Sequence, residues 1–597
     1  MKTNLEKSKT NKKQIIFIII FLLTVIAFFL RVLPFGYGMA HIYFSDTPLF
    51  SKALKLAEGF AQHDFSQFTS PSYYPYFFSY IFLFVFGIFY LIGVIGGIFS
   101  SANEFFKYAI LQMEQLFEIS RIIIAVAGTL LIPLVYLSVR KILLVGKRRW
   151  VEVGALFSAF LMCFSVLHIN YSHFVRPHLA VAFTLFLSFY FYLILLEKKN
   201  LISYILLGIA SGLAIGTLHN GFLAISFLII AHFFIRSRQN NKKIFSFPFI
   251  AGLIAFLLVF SICWPYLILN MGNALGLGGG KFDITLSGRS HTLQGYFTGE
   301  GLIVGLKGLV LNETGLVILL IIFLIIYFVS LQKKRKDEIS VENSYYKTAI
   351  KGGVFMLIAH FVIFGMYSIP SYRFLVPLIP FLCVFIGILF GYSLEKISTK
   401  YRPWLIALVA IVLIFPIVQS IRLTTLIARK DTRDLTAEWI EKNIDPSQMI
   451  AISSKGPKLF PNKESLEKKL LLAGPDSLGQ RDNLLLSFSK EEYPQQSRSI
   501  FPLWAFDENQ KKIYDFLKNQ SDYFVFDYAN SYPGIDPTRD AEQQMAIRLG
   551  ILVKTFNPFR KISNVNSLFP GQIENPIINL WVLERMGPVI EIYKIKH

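Results

Sequence analysis

Cysteine is almost absent from this sequence. The 597 residues include three, Cys163, Cys263 and Cys383, each inside an apolar run. That excludes a disulfide framework and a thiolate metal site. Charge is scarce as well: 16% of residues are charged and 54% hydrophobic. Such a balance excludes a soluble globule and marks a polytopic membrane protein. Acidic residues are the scarcer sign, 38 against 59 Lys and Arg, which leaves a net charge of +21. The basic residues cluster in short loops between apolar runs, as the positive-inside rule produces. The excess therefore reports topology rather than nucleic-acid binding. No small-residue cleavage site follows the first apolar run, 14–33. That run is long enough to span, so it reads as an uncleaved first helix rather than a signal peptide. No internal repeat is evident, and the glycine run at 276–280 is not a phosphate loop. Leu275 stands where the first glycine is required, and Phe282 where Ser or Thr should follow Lys281.

What is present can be threaded through a bilayer. Residues 2–13 carry five lysines, which places the N-terminus in the cytoplasm. Helix 14–33 then delivers 34–74 to the outside. The run 119–139 ends in Arg140, Lys141, Lys147, Arg148 and Arg149, which belong inside. If 75–100 also crossed, those five cations would be stranded outside. The expectation is that 75–100 forms interfacial or re-entrant helices on the outer surface, broken near Gly87, Gly93, Gly96 or Gly97. The remaining runs, 151–168, 179–196, 201–218, 221–235, 246–269, 314–331, 349–369, 374–393 and 404–422, alternate with basic loops on one side. Windows of roughly 20 residues make about eleven spans. That count leaves the C-terminus outside.

From 425 onward charges and prolines rise. Short β-rich runs appear at Met449–Ile452, Tyr523–Phe526, Leu580–Leu583 and Val589–Tyr593, with helical pattern at Asp434–Asn443 and Asp540–Leu549. The expected organisation is a membrane module over 1–424, with 34–118 as a first outer loop carrying interfacial helices. A soluble extracytoplasmic α/β domain occupies 425–597.

Four polar spots interrupt the apolar chain, and the threading puts all of them on the outer side. Ionisable groups at membrane depth are costly, so they mark candidate working residues. Asp46 follows the first span. A carboxylate there can accept a proton from an acceptor hydroxyl or amine, or it can cap a helix over 47–58, since Asp-Thr-Pro is a good helix start. Arg373, beside Tyr372, offers a planar fork that matches a phosphate, or a side chain that snorkels to the interface. Arg176 lies between His173 and His178. Two histidines five residues apart with no third ligand nearby make a weak metal site. His219 and Asn220 sit at a turn where they can donate to a phosphate or cap a helix.

With these positions in place, the chain resembles the GT-C membrane glycosyltransferases, most of all the bacterial members related to protein O-mannosyltransferases and to the aminoarabinose transferase of lipid A. The resemblance rests on Asp46 in the first outer loop and the Arg176-Pro177 turn. It rests also on Gly212-x-x-x-Gly216-Thr217-x-x-Asn220, on Tyr372-Arg373-Phe374-Leu375-Val376-Pro377-Leu378-Ile379-Pro380, and on Asp431-Thr432-Arg433 with Glu438-Trp439-Ile440. It implies a polyprenyl-monophosphate-linked sugar donor and inverting, metal-independent transfer outside the membrane, with no cofactor. The acceptor would be a protein, a glycan or a glycolipid of the cell envelope. On this reading Asp46 is the base, and Arg373, Arg176, His219, Asn220 and Tyr372 hold the donor phosphate. Three departures stand out: His178 where the family pattern has aspartate, His219 where it has lysine, and Thr47 where many relatives have glutamate. Two other classes remain open: a transporter of lipid-linked sugar, and a non-catalytic lipid-sugar-binding protein. Against the transporter, no inverted repeat and no charge at mid-membrane depth is read.

Overall fold

The structure, a computed structural model, describes residues 2–36, 48–69, 74–146, 148–239, 245–269, 300–332, 344–365, 371–453, 456–494, 496–507, 509–528, 537–560 and 576–597. The chain divides into two compact units. One comprises 1–33, 46–92 and 119–421, and the other 34–45, 93–118 and 422–597.

The first unit is helical: α1 (Lys2–Val32), α2 (Pro48–Gln62), α3 (Phe77–Ile95), α4 (Met113–Val145), α5 (Val151–Cys163), α6 (Val166–Ser172), α7 (Pro177–Lys198), α8 (Leu201–Ile215), α9 (Ile225–Gln239), α10 (Phe247–Cys263), α11 (Glu300–Asn312), α12 (Thr314–Gln332), α13 (Ser344–Gly365), α14 (Ile379–Lys396) and α15 (Arg402–Ile427). Among the described residues, eight helices are long and apolar enough to cross a membrane, and up to ten spans result if two bent pairs each count once. This is a polytopic α-helical membrane protein. The count differs from the expected eleven for identifiable reasons. Helices α8 and α10 are apolar but short, with 15 and 17 residues. Within the run 75–100, expected to form interfacial or re-entrant helices broken near one of its glycines, α3 runs unbroken through Gly87 and Gly93, is long enough to span, and ends at Ile95 before a turn at Gly96 and Gly97. The breaks lie elsewhere: α5 and α6 meet at 48°, and α11 and α12 at 98°.

Glycine spacing decides how α8 and α10 pack. Gly208, Gly212 and Gly216 recur every four residues and line one face of α8. A Cβ on Gly208 would lie 2.1 Å from the Gly252 carbonyl oxygen, and one on Gly216 would lie 2.5 Å from Cys263 Cβ. Apolar helices gain no hydrophobic advantage by leaving lipid for each other, so close backbone approach is what holds such a pair. Gly208→Leu is expected to force the two helices apart and cost about 1–3 kcal/mol or more. A drop in the thermal unfolding midpoint in detergent would register it, and an unchanged midpoint would rule out this account of the packing.

The α5–α6 break shows how a membrane helix tolerates interruption. Backbone groups freed in an apolar setting must find partners within the protein. Here Arg31 donates to the carbonyls of Met162 (2.9 Å) and Cys163 (3.2 Å), and Ser420 Oγ donates to Phe164 O (3.1 Å). On the other side of the break, Glu313 Oε1 accepts from Leu167 N (2.9 Å) and from Ser165 Oγ (2.5 Å), while Ser165 caps α6. A cation thus sits at the negative end of α5 and a carboxylate at the positive end of α6, the signs that the two helix dipoles favour. Both side chains are buried.

The second unit holds a five-stranded sheet in the order β2-β1-β3-β5-β4. Its strands are β1 (Ile450–Ile452), β2 (Ile500–Pro502), β3 (Tyr523–Asp527), β4 (Gly550–Phe556) and β5 (Ile590–Ile595). Strand β1 pairs in parallel with β2 and β3, and β5 pairs antiparallel with β3 and β4. Alternation along β3 sends Phe524 and Phe526 to one face, packed with Ile513, Phe516 and Leu517 of helix Gln510–Gln520. Tyr523 and Val525 go to the other face, packed with Ala437 and Ile440 of helix Thr432–Asn443. Three of the four expected strands are present. Leu580–Leu583 is instead a turn: Val582 N and Leu583 N both donate to Asn579 O. Leu580 and Leu583 are buried while Trp581 and Val582 are exposed, a spacing of three rather than two. The Asp431-Thr432-Arg433 motif is a buried helix start. Asp431 caps the helix and holds Arg433 through two bonds of 2.8 and 2.7 Å.

Candidate active site

Three chain segments far apart in sequence supply the candidate residues. Arg176 is the extended residue just before α7, with Pro177 opening the helix and His178 in its first turn. His219 and Asn220 begin a short 3-10 segment, His219–Ala224, after α8. That turn requires glycine at 221, where a Cβ would lie 2.0 Å from the Ala214 carbonyl oxygen. Tyr372 and Arg373 open a second 3-10 segment, Tyr372–Leu378, which leads into α14.

The fold brings these segments together. His178 lies within electrostatic reach of Arg373, Arg176, His219 and a fourth group, His360 of α13. Its ring is 5.6 Å from that of Phe374. The guanidinium groups of Arg176 and Arg373 each lie beside the ring of a neighbouring phenylalanine, Phe174 at 5.6 Å and Phe374 at 5.4 Å. Arg176, His178, Asn220 and His360 are all buried. Within this cluster Asn220 Oδ1, Asn220 Nδ2 and His178 Nδ1 are buried and bond to no described group. Unmet polar atoms in a buried site favour a polar ligand that completes them.

Tyr372 lines a cleft with His360, Ser371, Phe374 and Leu375. Its ring lies against Gly308 of α11, where a Cβ would come within 2.3 Å of it. His360 Nε2 and the Phe374 carbonyl oxygen are 3.0 Å apart, a bond that ties α13 to the same segment. An apolar groove lies nearby, lined by Phe77, Tyr80 and Phe84 of α3 and by Leu213, Val259 and Ile262 of α8 and α10. At its end Phe77 N donates to Gly216 O (3.0 Å), three residues before His219.

Not every candidate joins the cluster. His173 is buried with Nδ1 2.9 Å from Ile169 O and Nε2 2.9 Å from Leu33 O. It tethers the end of α6 to the end of α1, and a neutral ring can donate to only one of these carbonyls. Its charged neighbours are Arg121 and Arg31. Asp46 lies outside the described residues, as do Thr47 and the loop 270–299. Among the described residues, no group of three His, Cys, Asp or Glu side chains is placed to hold a metal ion.

Sequence reasoning passed over His360, Arg31 and Glu313. The signal was available for two of them, since His360 and Arg31 interrupt apolar runs in the same way as the residues that were singled out. Glu313, between two apolar runs, reads as an ordinary loop residue until its partners are seen.

No curated protein matches the chain. Among solved structures, the Archaeoglobus fulgidus oligosaccharyltransferase in its apo form aligns at 13% identity and a TM-score of 0.43, over 86% of this chain and 69% of that one. The same organism's oligosaccharyltransferase AglB, in complex with an inhibitory peptide and a dolichol-phosphate, aligns at 13% identity and a TM-score of 0.47, over 92% and 74%. ArnT from Cupriavidus metallidurans bound to undecaprenyl phosphate aligns at 12% identity and a TM-score of 0.42, over 85% and 92%. Residues 108–265, which hold Arg176, His178, His219 and Asn220, match the family model described as dolichyl-phosphate-mannose-protein mannosyltransferase, and over that segment the glycosyltransferase resemblance read from the sequence is borne out.

Proposed function

We propose that this protein is a membrane glycosyltransferase that moves a sugar from a polyprenyl-monophosphate donor to an acceptor on the outer face of the plasma membrane. The observation that carries the reading is the convergence of Arg176, His178, His219 and Arg373 from three segments, beside an Asn220 amide whose buried atoms lack described partners. Two guanidinium forks and adjacent imidazoles suit a phosphate oxyanion. The apolar groove that ends near Gly216 suits an isoprenoid tail joined to that phosphate.

The chemistry needs few groups. The acceptor oxygen attacks the anomeric carbon from the face opposite the phosphate. The bond from that carbon to the phosphate oxygen breaks, and the prenyl phosphate leaves with the electron pair. The acceptor proton passes to the Asp46 carboxylate. A phosphate held by arginine is already a good leaving group, so a second carboxylate of the kind glycoside hydrolysis uses is not required. In this reading Arg373 and Arg176 stabilise charge on the leaving phosphate, while His219, Asn220 and Tyr372 orient it. The N-terminus is cytoplasmic and the C-terminal domain faces outward, as the lysines of residues 2–13 and the basic loops favour.

Purified protein incubated with radiolabelled polyprenyl-phosphate sugars, with and without envelope acceptors, tests the reading. Label transferred to an acceptor supports it. Label moved across a bilayer without bond formation would replace it with a transporter, and binding alone with a lipid-sugar receptor. Arg373→Ala should weaken binding of undecaprenyl phosphate by about 2–5 kcal/mol, roughly 30-fold to several thousand-fold in Kd. Unchanged affinity in a titration of the purified variant would remove Arg373 from the site.

A further inference from the structure

We infer that His360 is a positioning residue of the candidate site: it fixes the backbone of Phe374 and thereby sets Arg373 for the donor phosphate, a role that rests on the phosphate reading proposed above. The first observation is a missing donor. Tyr372–Leu378 is a seven-residue 3-10 segment with Pro377 inside it. Such runs beyond about four residues are uncommon, because their hydrogen-bond geometry is poor. In a 3-10 pattern each carbonyl accepts from the N–H three residues on, so Phe374 O would look to residue 377. Proline has no N–H to give. Leu375, Val376, Pro377 and Leu378 are buried, and a carbonyl beside such a stretch needs a donor from elsewhere in the protein.

His360 of α13 supplies one. Its Nε2 lies 3.0 Å from Phe374 O, and the residue is 1% exposed. A carbonyl only accepts, so Nε2 carries the hydrogen and donates. The bond therefore does for this segment what Pro377 cannot.

The second observation is what Phe374 touches. Its ring lies 5.4 Å from the Arg373 guanidinium and 5.6 Å from the His178 ring. Its N–H donates to Ser371 O at 3.0 Å and closes the turn. On the other side of Arg373, Tyr372 is seated against Gly308 of α11, where a Cβ would come within 2.3 Å of its ring. Arg373 thus lies between two residues that two different helices hold, Tyr372 by α11 and Phe374 by α13. A guanidinium fork meets a phosphate well only when its base is fixed, since small displacements of a binding group are costly.

Two lipids test this on the purified full chain: undecaprenyl phosphate, and undecaprenol, which has the same tail and no phosphate. His360→Leu removes the donor and is expected to weaken binding of undecaprenyl phosphate by about 10- to 100-fold, with binding of undecaprenol unchanged. His360→Gln, whose amide can donate to the same carbonyl, should recover most of the loss. Pro377→Ala returns an N–H to residue 377 and should shrink the effect of His360→Leu. That double variant also serves if the single one folds poorly. In an Arg373→Ala background His360→Leu should have no further effect, because it acts through Arg373. An equal loss in that background, an equal loss for undecaprenol, or no recovery with glutamine would each overturn the positioning role. Equal binding of the two lipids by the parent chain would instead overturn the donor reading itself, and the role of His360 with it.

Discussion

Asp46→Asn is expected to lower sugar transfer by about 10²–10⁴-fold, the usual contribution of a general base. Expression and binding of the lipid donor should be preserved, because the substitution removes a proton acceptor and keeps the shape of the side chain. The comparison of turnover with lipid binding is what separates the two readings of this residue. A capping aspartate replaced by asparagine loses little, since both are good helix caps. A base replaced by asparagine loses the reaction. Near-normal turnover in the variant would leave Asp46 as a cap and send the search for a base elsewhere.

The largest effect on stability is expected from Arg31→Leu. Arg31 is fully buried and supplies donors to the Met162 and Cys163 carbonyls at the α5–α6 break. Its removal leaves two buried acceptors unmet, at about 1–3 kcal/mol each. It also removes the cation that acts electrostatically on the buried Glu313. Glu313→Gln should be milder, because an amide oxygen can still accept from Ser165 and Leu167. Arg140 provides the contrast. It pairs with Glu152 at 2.9 Å but is 39% exposed, so Arg140→Leu should change stability by about 0–1 kcal/mol. Thermal unfolding midpoints in detergent would rank the three variants. Equal midpoints for Arg31→Leu and Arg140→Leu would contradict the role given to the break.

The helical architecture was legible because each span is a local matter. The transfer of a run of residues from water to hydrocarbon depends on its composition, and neighbours in space hardly enter. Interruptions were harder to read. Of the four glycines at which a break was expected in 75–100, Gly87 and Gly93 lie inside an unbroken helix, since glycine lowers helix propensity without forbidding helix, while the helix ends before Gly96 and Gly97. The real break at Phe164–Ser165 has no glycine or proline to announce it. It persists because Arg31, Ser420 and Glu313 meet the backbone groups that it frees. In the second unit two strands were missed: β2, which has three residues, and β4, whose seven residues are mostly exposed and show no buried–exposed alternation. Leu580–Leu583 has strand-like composition but is shaped by its bonds to Asn579 and Arg422.

The candidate site divides in the same way. Each of Asp46, Arg176, His178, His219 and Arg373 stood out one by one, because an ionisable group beside an apolar run is costly and conspicuous. The class of chain, its apolar runs and this list of suspects were determined by the sequence alone. Tertiary structure decided which suspects share a place. It set Arg176, His178, His219 and Arg373 around one another, added His360, and assigned His173 to a tether between α1 and α6. Partition into a membrane is a property of a segment. Electrostatic reach and hydrogen bonding depend on distances between segments, and residues 176, 219 and 373 become neighbours only when α7, α8 and α14 pack.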